Sequence, residues 1–224
     1  MNVRPLLFTN TVLIAAMAGI SAWAWQAIPE TAQLPVHWNI EGQADRFGSK
    51  GTALLLLPAI ALVLTLVFVF LPRIDPRRKN LESSGKMWNA SAIGVVALLA
   101  YVHILTTLNA LGRAIDIGDY LLPALAILFI VIGNYLSKTR SNWFAGVRTP
   151  WTMSSEYSWS KTHRLASRLF MGTGLIVLAA WFVVSTKIAI IVLIGALFAT
   201  SLIAVVASYF YWLRDPARAT TQGG

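Results

Sequence analysis

Three histidines, His37, His103 and His163, are the side chains of this chain best suited to moving a proton near neutral pH. A catalytic or metal site needs three or four convergent ligands, or a base held against a nucleophile. His37 has Asp45 and Lys50 nearby in sequence but no second histidine. His103 stands alone in an apolar run, and His163 sits beside Arg164, which does not favour its charged form. With no cysteine, disulfides, thiolate chemistry and cysteine-based metal sites are excluded. These residues give no catalytic set, no metal site and no cofactor site, and the expectation is a protein that is not an enzyme.

The elements that must position these residues are apolar. The 224 residues are 57% hydrophobic and only 12% charged, where a soluble domain carries about a quarter charged residues. Six stretches, 6–25, 52–71, 87–108, 120–136, 169–185 and 188–212, suit a bilayer that takes roughly 20 helical residues to cross. Only Ser185, Thr186 and Lys187 separate the last two, which predicts a tight helical hairpin. The fold expected is all-α: a polytopic membrane protein with six transmembrane helices, a compact outer loop and an interfacial inner helix. Its units are a helical hairpin at 1–71 enclosing an outer loop at 26–51, a four-helix region at 87–212, and a short tail at 213–224. Ala22-Trp23-Ala24 has the small-residue spacing of a signal-peptide cleavage site. A retained first helix is expected, because that apolar run is long and tryptophan suits a cleavage site poorly.

Charge sets the orientation. Arg4, the cluster Arg73, Arg77, Arg78, Lys79 and Lys86, the cluster Lys138, Arg140, Arg148, Lys161, Arg164 and Arg168, and Arg214 and Arg218 all fall on one side. Arg46, Lys50, Arg113 and Lys187 fall on the other. By the positive-inside rule both termini are cytoplasmic. The net charge of +9 is then a topology signal, and no direct nucleic-acid contact is expected.

Between the spans, residues 36–40 suit an extended piece, with turns at Glu41-Gly42-Gln43, Gly48 and Gly51. Trp38 and Phe47 are expected as interfacial anchors. Pro72 is expected to end the second helix, followed by a basic turn at 73–80 in contact with lipid. His103 is expected to face the bundle, Arg113, Asp116 and Asp119 to pair with one another, and Asn134 to bond across helices. Gly172, Gly174 and Gly195 allow close helix contacts. In the second inner loop, Ser154 is the expected N-cap of a helix running into the fifth span, with Glu156 in its first turn. Lys161, Arg164 and Arg168 share one stripe of that helix, and Trp159, His163, Ala166 and Phe170 another.

Two blocks carry a resemblance. The first is Leu34-Pro35-Val36-His37-Trp38-Asn39 through Gly42, Asp45 and Lys50. The second runs from Asn134-Tyr135-Leu136 and Lys138 through Asn142, Phe144, Gly146, Arg148-Thr149-Pro150-Trp151-Thr152, Trp159 and Thr162-His163-Arg164 to Gly172. Together they resemble the SdpI family of bacterial immunity membrane proteins, preceded by a short N-terminal domain of unassigned function. The resemblance implies an inner-membrane protein that protects its producer from a secreted killing peptide and holds a cytoplasmic repressor at the membrane. It implies that His37, Trp38, Asn39, Asp45 and Lys50 meet the toxin. Asn142, Arg148, Thr149, Pro150, Trp151, Trp159, Lys161, His163, Arg164 and Arg168 would form the inner docking surface. The remaining partners expected are membrane lipids. Two other readings stay open: a small transporter or channel, motivated by His103, Asn134 and the outer carboxylates, and a membrane enzyme using His37, Asp45 or His163.

Overall fold

Each of the six apolar stretches forms a helix of 20 to 28 residues: α1 (Arg4–Ala27), α2 (Lys50–Ile74), α4 (Gly85–Ala110), α5 (Ile117–Leu136), α7 (Glu156–Val183) and α8 (Thr186–Leu213). At about 1.5 Å per residue each is long enough to span the hydrocarbon of a bilayer. Three short helices lie between or after them, α3 (Arg78–Ser83), α6 (Pro150–Ser154) and α9 (Pro216–Thr221). This computed structural model describes residues 1–41 and 43–221; Gly42, expected in a turn, lies outside the described residues. The helices turn apolar side chains outward, Phe8, Phe182, Val183 and Phe198 among the most exposed. That surface suits lipid as solvent.

α1, α2 and α4 pack together, as do α5, α7 and α8, and α4 also packs on α5. The first group is centred on Met17, Ala61, Val96 and Ala100, the second on Leu122, Ala126, Val177, Ala189 and Leu193. α5 and α7 approach closely at two glycines. A Cβ on Gly174 would lie 2.5 Å from the Ala126 carbonyl oxygen, and one on Gly133 would lie 2.8 Å from the Met171 nitrogen. Ser167 Oγ donates to the Gly133 carbonyl at 2.6 Å across the same seam. Gly172 and Gly195, expected to act likewise, have no such neighbour within 4 Å. Asn134 is exposed rather than bonded across helices, because the face of α5 turned to α7 is that of Gly133 and Leu136.

The all-α reading holds for the bundle, but the outer loop is an antiparallel hairpin of β1 (Gln33–Trp38) and β2 (Ala44–Ser49). Gln33 faces Ser49 and Trp38 faces Ala44, with register irregularities between Pro35 and Trp38. Asn39 organises the turn: its side chain accepts from the amides of Glu41 and Gln43, and its own amide donates to the Gln43 carbonyl. Gly48 therefore lies in a strand and Gly51 in the first turn of α2, not in the turns expected.

The prolines of α2 also act differently from expectation. Pro72 does not stop the helix, which continues to Ile74. A proline lacks the N–H that would bond the carbonyl four residues earlier, and here neighbouring helices supply the missing donor. The Phe68 carbonyl, freed by Pro72, accepts Trp88 Nε1–H from α4 at 2.9 Å. The Leu54 carbonyl, freed by Pro58, accepts Ser21 Oγ–H from α1 at 2.7 Å. Each proline thus becomes a tie between helices, as hydrocarbon surroundings require. The stretch after Pro72 is helical from Arg78 rather than a turn throughout. Asp116 does not pair with Arg113: it caps α5 by accepting from the Asp119 amide, and Asp119 takes the Thr186 hydroxyl.

Candidate functional site

At one end of the bundle sits the hairpin. His37 Nδ1–H donates to Asp45 at 2.6 Å across it, with both side chains exposed. The hydrogen bond from His37 holds the Asp45 carboxyl below its ordinary range. Lys187, at the α7–α8 turn, reaches Glu41 at 2.9 Å and ties the hairpin tip to the second helix group. Beneath the hairpin a groove of about 520 Å³ opens between the two groups, lined by Val36, Trp38, Leu56, Leu121 and Ile190 among others. Asn39 also borders it. Of the five outer residues expected to act together, Lys50 stands apart. It begins α2, is buried, bonds Glu30 at 3.1 Å and lies 4.7 Å from the centre of the Trp25 ring. Its ammonium is thus paired with a carboxylate that is itself exposed.

The opposite end is a polar lattice. Asn142, fully buried, accepts from the Phe144 and Ala145 amides and donates to the Arg140 and Ala145 carbonyls, which fixes the loop before Gly146. Gly146 adopts φ +109°, and a Cβ there would lie 2.2 Å from His163 Nε2. Glycine meets both demands at that position. His163 Nε2 accepts the Val147 amide at 3.0 Å, so its proton sits on Nδ1 and is donated to the Trp159 carbonyl at 2.8 Å. Its ring stacks on Trp159 at 4.0 Å, and Trp159 Nε1 donates to the Thr139 carbonyl. With both nitrogens engaged and no exposure, His163 serves the loop rather than a reaction.

Thr149 and Thr152 form a capping box at the start of α6, where Pro150 needs no amide partner. Thr149 also meets Ser208 of α8 at 2.9 Å, and Trp151 packs on Tyr209. The α7 cap is Ser155, whose Oγ accepts from the Ser158 amide, and not Ser154, which ends α6. Lys161, Arg164 and Arg168 share the outer stripe, Lys161 half-buried and the two arginines exposed. Arg148 is exposed too and donates to the Trp143 carbonyl.

Several inner residues escaped the sequence reading. Arg77 donates to Ser141 Oγ and, at 2.7 Å, to the Met153 carbonyl; Ser141 in turn donates to Glu156 at 2.6 Å. Asp75 accepts the Trp143 amide, and Asn80 donates to the Ser141 carbonyl. The α2–α4 connection thereby clasps the loop before α7. Charge counting hid this, because a basic cluster beside a span is already accounted for by topology.

In the bundle, His103 is fully buried, with Nε2 3.0 Å from Ser21 Oγ and 3.3 Å from the Met17 carbonyl. The Ser21 proton goes to a backbone carbonyl, so His103 is the donor to Ser21 and does not act as its base. A second buried pair, Asn10 with Thr65, lies nearer the other end. The apolar cluster of Met17, Ala61, Val96 and Ala100 separates the two pairs. Among the described residues no group of three or more His, Asp or Glu could hold a metal ion.

Residues 138–211, from the clasped loop through α8, match the SdpI/YfhL protein family. Residues 12–62, from α1 through the hairpin into α2, match a domain of unknown function, DUF1648. The chain carries an SdpI/YfhL segment behind a DUF1648 segment. It is 26% identical over 188 residues to the immunity protein SdpI of Bacillus subtilis (strain 168), covering 84% of this chain and 86% of that one. No solved structure matches the chain. The SdpI/YfhL segment holds the Gly146–His163 contact, while the hairpin and its pair His37–Asp45 belong to the DUF1648 segment. The protein is a polytopic membrane protein distantly related to an immunity protein.

Proposed function

We propose that this is a non-enzymatic bacterial membrane immunity protein that protects its cell against a secreted antimicrobial peptide and passes the encounter to a cytoplasmic regulator. The observation that carries the reading is the likeness to an immunity protein over 84% of this chain, beside the separate DUF1648 and SdpI/YfhL matches that cover the hairpin and the inner loop. The unit at 1–71 meets the peptide and the region at 87–212 relays the encounter. The Lys and Arg bias sets the hairpin outside and both termini, with the tail at 213–224, in the cytoplasm of a cell with this protein in its inner membrane.

The groove under the hairpin is where an apolar peptide segment would seat. Its walls are aliphatic and aromatic, and its rim carries His37 and Asn39 for polar contacts. The regulator would dock on the inner face around Trp143, Arg148 and Pro150, where an exposed indole and a guanidinium lie side by side. Expression in a peptide-sensitive strain tests the reading. Survival that is lost with Trp38→Ala, at unchanged protein level, is the expected result. Unchanged killing by every co-encoded peptide would overturn it.

A further inference from the structure

Basic side chains on this protein divide into two kinds. Lys50, Arg78 and Lys187 are each held by a carboxylate, with Glu30, Glu82 and Glu41 as partners. Lys138, Arg140 and Arg164 have no carboxylate within 4 Å among the described residues, yet they converge on one polar pocket of about 410 Å³. Lys138 and Arg140 come from the turn and loop that follow α5, and Arg164 from the third turn of α7. Lys138 Nζ stands 5.3 Å from the Tyr135 ring, and Arg164 reaches only the Ser160 hydroxyl, at 3.5 Å. The pocket also holds one carboxylate, Glu156, whose Oε1 accepts the Ser141 hydroxyl, so three cations stand against one anion. The result is an excess of cationic donors, with the hydroxyls of Ser137 and Ser160 beside them.

Fork-shaped guanidiniums together with an ammonium and hydroxyl donors suit a phosphate group. The depth of the pocket points to its source. It lies where α5 ends and the polar first turns of α7 begin, and Arg168 continues the same stripe toward the hydrocarbon. Farther along these helices Ile127, Leu175 and Ile176 are exposed to the bilayer. A phosphate seated here would have apolar helix surface on which attached acyl chains could lie.

We infer that the pocket formed by Lys138, Arg140 and Arg164 binds the phosphate headgroup of an anionic phospholipid in the leaflet at the inner end. Each such cation near a membrane surface attracts anionic lipid by about 1 kcal/mol. The site is independent of what the hairpin binds.

Native mass spectrometry of the full-length protein, released from nanodiscs of mixed phosphatidylglycerol and phosphatidylcholine, tests this. Wild type retains phosphatidylglycerol over phosphatidylcholine by about tenfold, and Lys138→Gln/Arg140→Gln/Arg164→Gln abolishes most of that preference. The control Arg73→Gln/Lys79→Gln/Arg214→Gln, which removes exposed charge from the same end, keeps it. Equal retention of the two lipids by wild type, or an equal loss in both triple variants, overturns the proposal. Melting curves in neutral detergent report whether each variant folds and resolve the source of the phosphate. Stabilisation of wild type by phosphatidylglycerol, lost in the pocket variant, supports the lipid. Stabilisation by inorganic phosphate alone would assign the pocket to a soluble anion and overturn the lipid.

Discussion

The two ends of this molecule solve the loop problem in opposite ways. At the hairpin end, the His37–Asp45 pair is exposed, and the cavity beneath the hairpin is an apolar groove. At the other end, Ser141, Asn142, Thr152, Ser158 and His163 are all fully buried, and bonds such as Arg77 to Ser141, the Val147 amide to His163 and Ser158 to the Ser208 carbonyl cross between elements. The hairpin is held by its own backbone ladder, by Leu34 packed with Ala24, Ile28 and Leu54, and by a few surface contacts, whereas the inner loops are held by desolvated polar bonds that are costly to break. An open, weakly tied end can adapt to a ligand, and a densely bonded end can keep its geometry while it does so.

Substitutions at the inner end should therefore cost stability, and substitutions at the hairpin should cost function. The largest effect is expected from Gly146→Ala, which forces a left-handed backbone on alanine and drives its Cβ into His163. A loss of about 3 kcal/mol or more is expected, seen as a collapse of the monodisperse fraction in gel filtration after mild heating. His163→Leu keeps the bulk but orphans the Val147 amide, and should lower stability by about 2 kcal/mol in thermal unfolding. Arg77→Gln cuts the clasp between the α2–α4 connection and the loop before α7. About 1 to 2 kcal/mol and faster limited proteolysis of that loop are expected.

At the hairpin the scale drops. Trp38→Ala should shift thermal unfolding by less than about 1 kcal/mol, its side chain being only half-buried, while abolishing protection. If it unfolds the protein as readily as His163→Leu does, the contrast between the ends fails. The smallest effect is that of pH. Because Asp45 is held below its ordinary range by His37, its contact persists above that range and is lost as pH falls through the lowered value. The His37 ring signal, followed by NMR during acid titration, should show this step, and Asp45→Asn should remove it.

The membrane architecture was legible because it rests on local quantities. Apolar length defines a span, and the stripe spacing of Lys161, Arg164 and Arg168 placed those side chains on one face. The hairpin was half legible. Residues 36–40 suggested an extended piece, but its partner Ala44–Ser49, rich in Asp, Arg and Gly, has weak strand character by itself. The burial of Lys50 was illegible for a similar reason: its type suggests a surface charge, and only Glu30 and Trp25, brought round by the chain, hold it where it is.

What the sequence determined by itself was the solvent each stretch must face, since hydrophobicity and charge belong to residues one at a time. Tertiary structure alone decided which group meets which. The prolines at 58 and 72 announce two carbonyls without a helical donor, but nothing local names Ser21 and Trp88 as the donors that fill them. The same holds for the His163 tautomer and for the clasp of Arg77 on Ser141, partners separated by long stretches of chain. In hydrocarbon a polar group must find a partner inside the protein. Only helix packing determines which one lies within reach.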